Sequence, residues 1–268
     1  MLKAPLDLKK ARVLISNDDG IGAEGLKRLV SIARKIAGEV WVVAPETEQS
    51  GTGHSLTLRR PLRIRKAAPR TFAVDGTPTD CVLLAVNQIM KDKRPDLVLS
   101  GINRGENVGE DMTYSGTIAA AMEATLFQIP AIALSQYVAE DGWDLDTKPD
   151  WTVAEKYAAR VIRKAVSIDW PRDVLMNVNF PDGPANEVKG IEITREGRRK
   201  IGDHVIESAD PRGEPYYWIG AQQSSPRYAR GTDLDAIQRR MVSVTPLSID
   251  LTHRPTMNAL KAKLQKGR

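Results

Sequence analysis

The stretch 13-VLISNDDGIGAEGL-26 decides the fold class, because it has the pattern of a strand, a tight turn and a helix in succession. Residues 13–16 are a short apolar run typical of a buried strand, and residues 23–37 carry apolar side chains at helical spacing. The turn contains three glycines in the order G-x-G-x-x-G, at Gly20, Gly22 and Gly25. This is the dinucleotide-binding fingerprint, but Asp18 and Asp19 precede its first glycine, where a pyrophosphate would lie. The stretch therefore leaves two ligands open: NAD, or a ligand that requires two carboxylates.

The sequence after this stretch repeats the alternation of strands and helices. Strands are predicted at residues 39–45, 72–74, 95–103, 131–135 and 174–179, and helices at residues 78–90, 116–127 and 152–166. Capping residues precede two of the helices, Thr77 and Ser115. An alternating segment at residues 54–65, broken at Pro61, predicts two further strands. This repetition implies a Rossmann-like three-layer α/β/α core with a mostly parallel sheet.

The sequence after residue 183 has a different pattern, with short strands, glycine- and proline-rich connections and little helix. Strands are predicted at residues 191–199, 215–220 and 241–251, and a terminal helix at residues 256–264. We therefore predict a Rossmann-like catalytic core at residues 1–183 and a smaller β-rich C-terminal arm at residues 184–268. Such an arm has little core of its own, so we expect it to pack against the main domain or a partner subunit.

The composition is that of an ordinary globular protein, with 268 residues, 41% hydrophobic residues and a formal net charge of +5. The single cysteine, Cys81, excludes an intramolecular disulfide, and its apolar surroundings in the sequence predict a packed thiol. The N-terminal residues show no signal-peptide pattern, and a glutamate, a glutamine and a proline interrupt the most apolar stretch, residues 116–135. We therefore expect a cytoplasmic protein without a membrane span.

Basic residues form two clusters, at residues 195–200 and 261–268. No aromatic residues interleave with them, as they do in nucleic-acid stacking platforms. We interpret both clusters as solvated surface and expect no nucleic-acid partner. The three histidines, His54, His204 and His253, are scattered, so their spacing indicates no metal site and we expect structural roles for them.

Oxygen-bearing side chains follow three predicted strands, at the edge where open parallel sheets bind ligands. These side chains are Asn17, Asp18 and Asp19 after the first strand, Ser50 and His54 after the second, and Asn103 and Asn107 after the strand at residues 95–103. Carboxylate, amide and hydroxyl oxygens suit Mg²⁺, Mn²⁺ or Ca²⁺, whereas zinc usually recruits His or Cys. Neighbouring strands would bring these oxygens together as a site for a hard divalent cation. An Asp-Asp-Gly sequence is also common in plain turns and helix caps, so the motif alone leaves a structural role open.

Charge distinguishes the two ligands that the glycine turn permits. Two like charges about 4 Å apart repel by roughly 4 kcal/mol at an effective dielectric near 20, so Asp18 and Asp19 would oppose a bare pyrophosphate. A divalent cation between the carboxylates and a phosphate reverses the sign of that interaction. Backbone donors for phosphate are expected at residues 20–22 and at residues 116–117 behind Ser115, because helix N-termini present free N–H groups.

Several motifs, taken together, resemble the SurE family of stationary-phase survival proteins, which are metal-dependent 5′-nucleotidases. The motifs are ISNDDG (15–20), VVAPETEQSGTGHSLT (42–57), GTPTDC (76–81), PDLVLSGINRGENVGEDMTYSGTIAAAMEA (95–124) and YWIG (217–220). They occur in the family's order and cover most of the chain. The resemblance implies hydrolysis of nucleoside 5′- and 3′-monophosphates, and a C-terminal arm that is exchanged between the subunits of a homodimer or homotetramer.

The resemblance also implies one divalent cation per subunit, with Mg²⁺ or Mn²⁺ expected. Carried over by motif, the metal ligands are Asp18, Asp19, Ser50 and Asn103. The residues expected to bind phosphate are Gly20, Asn107, Ser115, Gly116 and Thr117. Asp18, Asp19 and Asn107 are the residues expected to be catalytic.

Three functional hypotheses remain at this point. The first is metal-assisted hydrolysis of a phosphomonoester, with a water molecule or an aspartate as the nucleophile. The second is an NAD(P)-dependent oxidoreductase that uses the glycine turn, and the third is a non-catalytic nucleotide- or RNA-binding module. Phosphate release from AMP, measured with and without Mn²⁺, distinguishes among the three.

Overall fold

The structure, a computed structural model, describes residues 4–138, 148–199, 205–219 and 227–264. Within these ranges the strands are β1 (Arg12–Ser16), β2 (Glu39–Pro45), β3 (Ile64–Ala68), β4 (Thr71–Val74), β5 (Leu97–Arg104), β6 (Ala131–Gln136), β7 (Val174–Phe180), β8 (Ile191–Ile193), β9 (Val205–Ala209), β10 (Pro215–Ile219) and β11 (Val242–Ser248). The α-helices are α1 (Glu24–Arg34), α2 (Pro78–Leu84), α3 (Gly116–Leu126), α4 (Thr152–Ala165), α5 (Asp233–Gln238) and α6 (Arg254–Leu264). Lys200, His204 and residues 265–268 lie outside the described ranges.

Most strands belong to one sheet, in the order β3-β4-β2-β1-β5-β6-β7-β11-β8. The strands from β4 to β7 in this order are parallel, whereas β3 runs antiparallel to β4 and β11 antiparallel to β7. This arrangement confirms the predicted α/β class with a mostly parallel sheet. Because β1 has β2 on one side and β5 on the other, the ends of these three strands meet at a topological switch point, where ligands bind in such sheets.

Helices cover both faces of the sheet. Because successive side chains of a strand point to opposite faces, each buried strand contributes to two apolar layers. Val13 and Ile15 belong to the apolar layer that contains α1 and α4, and Leu14 belongs to the layer that contains α2 and α3. Cys81 is buried in the second layer, as predicted, and burial raises the pKa of its thiol. Among the described helices, none is long and apolar enough to cross a membrane.

The two predicted helix caps are present. The Thr77 hydroxyl accepts a hydrogen bond from the backbone N–H of Asp80 at 3.1 Å, and the Asp80 carboxylate accepts one from the N–H of Thr77 at 2.9 Å. Ser115 Oγ accepts a hydrogen bond from the N–H of Ile118 at 3.1 Å. Each cap stabilises its helix by about 1 kcal/mol and fixes where the helix begins. The N-terminus of α3 is therefore held at Ser115, next to the predicted site.

Gly25, the third glycine of the G-x-G-x-x-G pattern, has a packing role. A Cβ atom at this position would lie 1.9 Å from the carbonyl oxygen of Ile102 in β5. Only glycine therefore allows α1 to approach β5 this closely. A Cβ atom at Gly22 would meet nothing within 4 Å, so the second glycine has no such constraint in this structure.

The prediction of two strands within residues 54–65 was wrong for most of that segment. Strand β3 begins only at Ile64, and residues 54–63 contain no strand. Leu56 and Leu58 are exposed, Leu58 by 83%, whereas Leu62 packs against the apolar layer that contains α2 and α3. Thr57 instead donates hydrogen bonds from its N–H and its hydroxyl to the Asp80 carboxylate, at 3.1 Å and 2.6 Å. Side-chain bonds to α2 therefore hold the segment in place of strand pairing.

The sequence after residue 183 contributes to two structures. Strands β8 and β11 extend the main sheet beyond β7, whereas β9 and β10 form a separate antiparallel hairpin. The strand predicted at residues 191–199 ends at Ile193, and the short helix α5 was not predicted. The division into domains at residue 183 stays a prediction.

Candidate active site

The aspartate turn (residues 17–20) connects β1 to the segment before α1. Gly20 has a φ of +93°, which residues with a side chain rarely adopt, and Asn17 Nδ2 donates a hydrogen bond to its carbonyl oxygen at 3.0 Å. The carbonyl oxygen of Asp18 accepts a hydrogen bond from the N–H of Gln49 at 2.8 Å, which joins the loop after β2 to the turn. Successive side chains of a continuing strand would point apart, but in this turn the carboxylates of Asp18 and Asp19 interact electrostatically.

The buried Asp18 side chain packs directly against the N-terminus of α3. Its Oδ1 atom accepts a hydrogen bond from the Thr117 hydroxyl, and the backbone of Thr117 also hydrogen-bonds the carboxylate. A Cβ atom at Gly116 would lie 2.7 Å from Asp18 Cβ and 2.9 Å from Asp18 Oδ2. The first residue of α3 therefore leaves space for the carboxylate only because it is glycine. The positive end of the helix dipole favours an anion here.

The two carboxylates carry more negative charge than their surroundings stabilise. Burial raises the pKa of Asp18, although the hydrogen bonds from Thr117 oppose the change. Burial and the nearby Asp18 raise the pKa of Asp19 to about 7, although Asp19 Oδ2 accepts a hydrogen bond from the N–H of Arg104 at 3.3 Å. Two charged oxygens in such a place fit a bound cation, which would stabilise both ionised forms.

Glu48 adds a third negative charge to the site, a role beside the aspartates that the sequence did not predict. Its charge raises the pKa of both aspartates, and its Oε1 accepts a hydrogen bond from Ser50 Oγ at 3.0 Å. Its place two residues before the predicted ligand Ser50 was the available signal. The described residues nevertheless contain no group of three His, Cys, Asp or Glu side chains that could hold a metal ion. A cation here would therefore also need hydroxyl or amide oxygens.

The two remaining predicted ligands each lie one residue from a hydrogen bond to the aspartate turn. Ser50 follows Gln49, whose N–H donates a hydrogen bond to the carbonyl oxygen of Asp18. Asn103 precedes Arg104, whose N–H donates a hydrogen bond to the carboxylate of Asp19. Asn103 Nδ2 donates a hydrogen bond to the carbonyl oxygen of Gly105 at 2.9 Å, so its Oδ1 is the atom suited to bind a cation. The structure thus places Ser50 and Asn103 on the segments that contact Asp18 and Asp19.

Further oxygen atoms on β1, in the turn after it and on β5 lack hydrogen-bond partners. Within the described part of the chain, Ser16 Oγ, Asn17 Oδ1 and Ser100 Oγ are buried and unpartnered. Ser16 and Ser100 are paired neighbours on the two strands. An unsatisfied buried polar group costs about 1–3 kcal/mol, so such groups are typical of sites that bind a polar ligand, an ion or water. Asn17 Oδ1, next to Asp18 in the chain, adds a further hard oxygen to the carboxylates, and such a donor set fits Mg²⁺ or Mn²⁺.

Asn107 is buried and held from the sheet side by three polar side chains. Its Nδ2 donates a hydrogen bond to Ser135 Oγ at 2.8 Å, and its N–H donates one to Asn179 Oδ1 at 2.8 Å. Its carbonyl oxygen accepts hydrogen bonds from Asn177 Nδ2 at 2.7 Å and Asn179 Nδ2 at 3.0 Å. Sequence analysis missed the three supporting residues. Two asparagines at alternate positions of the otherwise apolar strand β7 were the available signal.

The side chains of Ser115 and Thr117 are already engaged within the protein. Ser115 Oγ caps α3, and the Thr117 hydroxyl bonds Asp18. Their roles in phosphate binding, and those of Gly20, Gly116 and Asn107, stay predictions. The backbone at the start of α3 nevertheless lies against Asp18.

A cleft of about 630 Å³ opens beside the aspartates, within the size range of small-molecule sites. It is lined by Asp19, Ala23, Glu24, Gly25, Arg28, Glu48, Arg104, Lys148, Pro149 and Trp151. The lining of the cleft therefore combines three acidic side chains, three basic side chains and one indole. A second cleft of about 520 Å³ borders the other side of α1 and contains none of the predicted site residues.

His54 and His253 each contact one polar side chain, which agrees with the structural roles expected for them. His54 Nε2 lies 3.0 Å from Glu123 Oε2, and His253 Nδ1 lies 2.6 Å from Thr256 Oγ1. The interpretation of residues 195–200 as solvated surface was wrong for Arg199. The side chain of Arg199 is only 16% exposed, because carboxylates of the 106–111 loop form ion pairs with it.

The chain matches one family of known proteins across the whole of this site. A family model described as "Survival protein SurE" matches residues 13–203, which include all the predicted site residues. The chain belongs to the SurE family. SurE membership confirms the resemblance found in the sequence motifs, and it decides against NAD as the ligand of the glycine turn.

Individual SurE proteins match nearly the whole chain. A protein of Paramagnetospirillum magneticum named 5′-nucleotidase SurE is 59% identical over 255 residues, which cover 95% of this chain and 96% of that protein. One of the same name from Rhodospirillum rubrum is 55% identical over 254 residues, with 95% and 96% covered. The crystal structure of the SurE protein from Aquifex aeolicus matches with a TM-score of 0.82 at 40% identity, and covers 94% of this chain and 99% of that one.

Proposed function

We propose that this SurE protein is a 5′-nucleotidase, which hydrolyses nucleoside 5′- and 3′-monophosphates to a nucleoside and inorganic phosphate with the help of Mg²⁺ or Mn²⁺. The observation that carries the proposal is the pair of carboxylates, Asp18 and Asp19, enclosed between the end of β5 and the N-terminus of α3. The names of the SurE relatives support the reaction class. The hard-oxygen donor set supports the divalent cation.

The metal would be held by Asp18, Asp19, Ser50 and Asn103. When bound, such a cation neutralises negative charge that develops on a phosphate oxygen. The N–H groups at Gly116 and Gly20 and the side chain of Asn107 would bind the remaining oxygens, and their fixed positions stabilise the charge of the transition state. Residues that the sheet and helices already hold in place need little reorganisation during the reaction.

The nucleophile in this scheme is a water molecule that Asp18 or Asp19 orients and deprotonates. Its oxygen forms the new bond to phosphorus, the bond to the ester oxygen breaks, and that oxygen takes up the proton that the aspartate removed from the water, so that the nucleoside leaves as the alcohol. Attack by an aspartate carboxylate is the competing route, through a phospho-enzyme. A substrate with a chiral phosphate group distinguishes them, since one displacement inverts the configuration at phosphorus and two displacements retain it.

The cleft beside Asp19 would receive the nucleoside. The indole of Trp151 offers a stacking surface for a base, and Arg104 and Lys148 place positive charge along the approach to the carboxylates. A phosphate bound at the aspartate turn would leave its nucleoside in this cleft, because Asp19 lines both places. This location supports a nucleotide, rather than inorganic phosphate alone, as the substrate.

Phosphate release from AMP, GMP and p-nitrophenyl phosphate, with and without Mn²⁺ or Mg²⁺, tests the proposal. We expect activity that EDTA abolishes and that added metal restores. Asp18→Asn should abolish turnover while the protein keeps its thermal midpoint within a few degrees. Asp92→Asn, which changes an exposed aspartate outside the site, is the matched control and should keep full activity. Phosphate release by Asp18→Asn, or phosphate release by the wild type that EDTA does not reduce, would contradict the proposal.

We also propose that the protein assembles as a homodimer or homotetramer through the β9–β10 hairpin. Apolar side chains on this hairpin are exposed in the single chain, namely Val205, Ile206, Tyr216, Tyr217, Trp218 and Ile219. Contiguous apolar surface of this kind is typical of an interaction site. Light scattering after gel filtration measures the assembly, and Trp218→Glu should shift it toward the monomer. We also propose that the protein is cytoplasmic, as predicted from the sequence.

A further inference from the structure

Two side chains from the C-terminal part of the chain hold the loop that contains Asn107. This loop, residues 105–113, connects β5 to α3, and it includes a short 3₁₀ helix at Gly109–Thr113. Its contacts with the sheet involve Asn107, as described above. Its contacts on the other side involve Arg199 and Asp233, which lie far away in the sequence.

Asp233 connects the loop to the chain around residue 197. Its Oδ2 accepts a hydrogen bond from the N–H of Gly109 at 2.8 Å. Its Oδ1 accepts hydrogen bonds from the N–H of Gly197 at 2.7 Å and of Leu234 at 2.8 Å. The side chain is fully buried, which raises the pKa of Asp233, and the three N–H donors together with the nearby charge of Arg199 oppose that change.

Arg199 binds the loop on both sides of Asn107. Its guanidinium forms ion pairs with Glu106, at 2.7 Å, and with Asp111. Its backbone N–H donates a hydrogen bond to Glu110 Oε2 at 2.5 Å. The planar guanidinium can meet two carboxylates in fixed directions, which a lysine ammonium does less well.

We infer that Arg199 and Asp233 are positioning residues for Asn107, so that the C-terminal segment controls how well the loop presents this side chain to the phosphate. The inference rests on the proposed function. The loop between Glu106 and Asp111 is closed by Arg199 on one side and bonded to β6 and β7 through Asn107 on the other. Loss of the contacts between Arg199 and the loop would let Asn107 shift. Small displacements of a positioned group lower the rate of the catalysed reaction strongly.

The first test is a double-mutant cycle of Arg199→Met and Asn107→Ala, with AMP and Mn²⁺. We expect Arg199→Met to lower kcat about 10- to 100-fold and to change KM much less, because positioning matters most in the transition state. In the Asn107→Ala background the same change should lower kcat by less than about threefold, because the group it positions is absent. Arg199→Lys should restore part of kcat.

Arg239→Met is the matched control. Arg239 also pairs with two carboxylates, those of Glu192 and Asp235, but it does not contact the loop. The kcat of Arg239→Met should equal that of the wild type. Equal losses from Arg199→Met in both backgrounds, or a lower thermal midpoint with unchanged kcat, would overturn the inference. If Arg199→Met does not fold, Glu106→Gln removes one ion pair only and replaces it in the cycle.

Hydrogen exchange of the 105–113 loop tests the same coupling without an assay of activity. We expect faster exchange in Arg199→Met and in Asp233→Asn, and exchange as in the wild type in Arg239→Met. Unchanged protection in the first two variants would overturn the inference. Absence of phosphate release by the wild type with Mn²⁺ would contradict only the proposed function, so the two failures are distinguishable.

Discussion

Thr117 donates a hydrogen bond from its hydroxyl to Asp18 Oδ1 across 99 positions of sequence, and so joins the first turn of α3 to the end of β1. Both side chains are buried. A hydrogen bond to a charged group contributes about 1.5–3 kcal/mol, and here it also fixes the direction of the carboxylate. The proposed active site therefore depends on a contact between two elements that the sequence places far apart.

Thr117→Val should lower kcat with AMP by about tenfold, because the methyl group fills the space of the hydroxyl and cannot donate a hydrogen bond to Asp18. Thr117→Ser, which keeps the hydroxyl, is the control and should retain most of the activity. Steady-state kinetics with saturating Mn²⁺ measure both variants. Equal activity of the valine and serine variants would show that the hydrogen bond has no part in turnover.

Gly116→Ala should inactivate the enzyme without unfolding it. The new Cβ atom would lie 2.7 Å from Asp18 Cβ, which forces the aspartate or the helix to move. Gly116 is the first residue of α3, so the displacement is confined to the end of the helix and thermal stability should fall little. We expect kcat/KM for AMP to decrease at least about tenfold, as a displacement near 1 Å in a catalytic group implies.

Gly22→Ala is the matched control for Gly116→Ala. It changes a glycine of the same stretch of sequence as the aspartates, but its Cβ atom would meet nothing within 4 Å. Wild-type kinetics are expected for this variant. Loss of activity in both alanine variants would mean that glycine is needed for flexibility and not for close approach.

Sequence patterns predicted the parts of this fold that local physics determines. The strands that end at the site are continuous apolar runs buried on both faces, and Thr77 and Ser115 cap the helices after them through bonds within three residues. Because parallel strands expose their carboxyl ends at one edge, the position of the acidic pair after β1 in the chain was enough to place it at the site.

Contacts between distant parts of the chain explain what could not be predicted. Residues 54–63 alternate like a strand, yet Thr57 bonds Asp80 in α2, and no local signal gives that preference. Arg199 is part of a basic run that resembles solvated surface, but acidic side chains about 90 positions earlier bury it. Helix α5 has only six residues, too few for a helical pattern to be recognised.

Trp151→Leu should weaken the binding of nucleotides without affecting the chemistry at phosphorus. Leucine keeps apolar packing against Gly25 but removes the aromatic face from the cleft, and a stacked base contributes about 1–3 kcal/mol. We expect KM for AMP to rise about 5- to 100-fold, while the kinetics with ribose 5-phosphate, which has no aromatic ring, stay within about twofold. Similar increases in KM for both substrates would indicate that the nucleobase does not stack on Trp151.

Asp111 should make the stability of the protein depend on pH. Its Oδ1 is buried without a hydrogen-bond partner in the described part of the chain. Burial raises its pKa from 3.8 to about 6, with Glu106 and Asp233 acting in the same direction and Arg199 opposing them. The folded protein therefore binds this proton more tightly than the unfolded chain does. The resulting stabilisation is present below about pH 4 and is lost as the pH rises through about 6.

Asp111→Asn removes the titrating carboxylate. The free energy of unfolding of this variant should therefore lack the pH dependence that Asp111 contributes. Relative to the variant, the wild type should lose up to about 3 kcal/mol between about pH 4 and pH 7, since one pKa unit corresponds to about 1.4 kcal/mol. Urea denaturation at several pH values measures the difference, with Asp92→Asn as the exposed control. A constant difference between wild type and Asp111→Asn across this range would mean that Arg199 keeps the Asp111 carboxylate ionised throughout, and that the ion pair offsets the cost of burial.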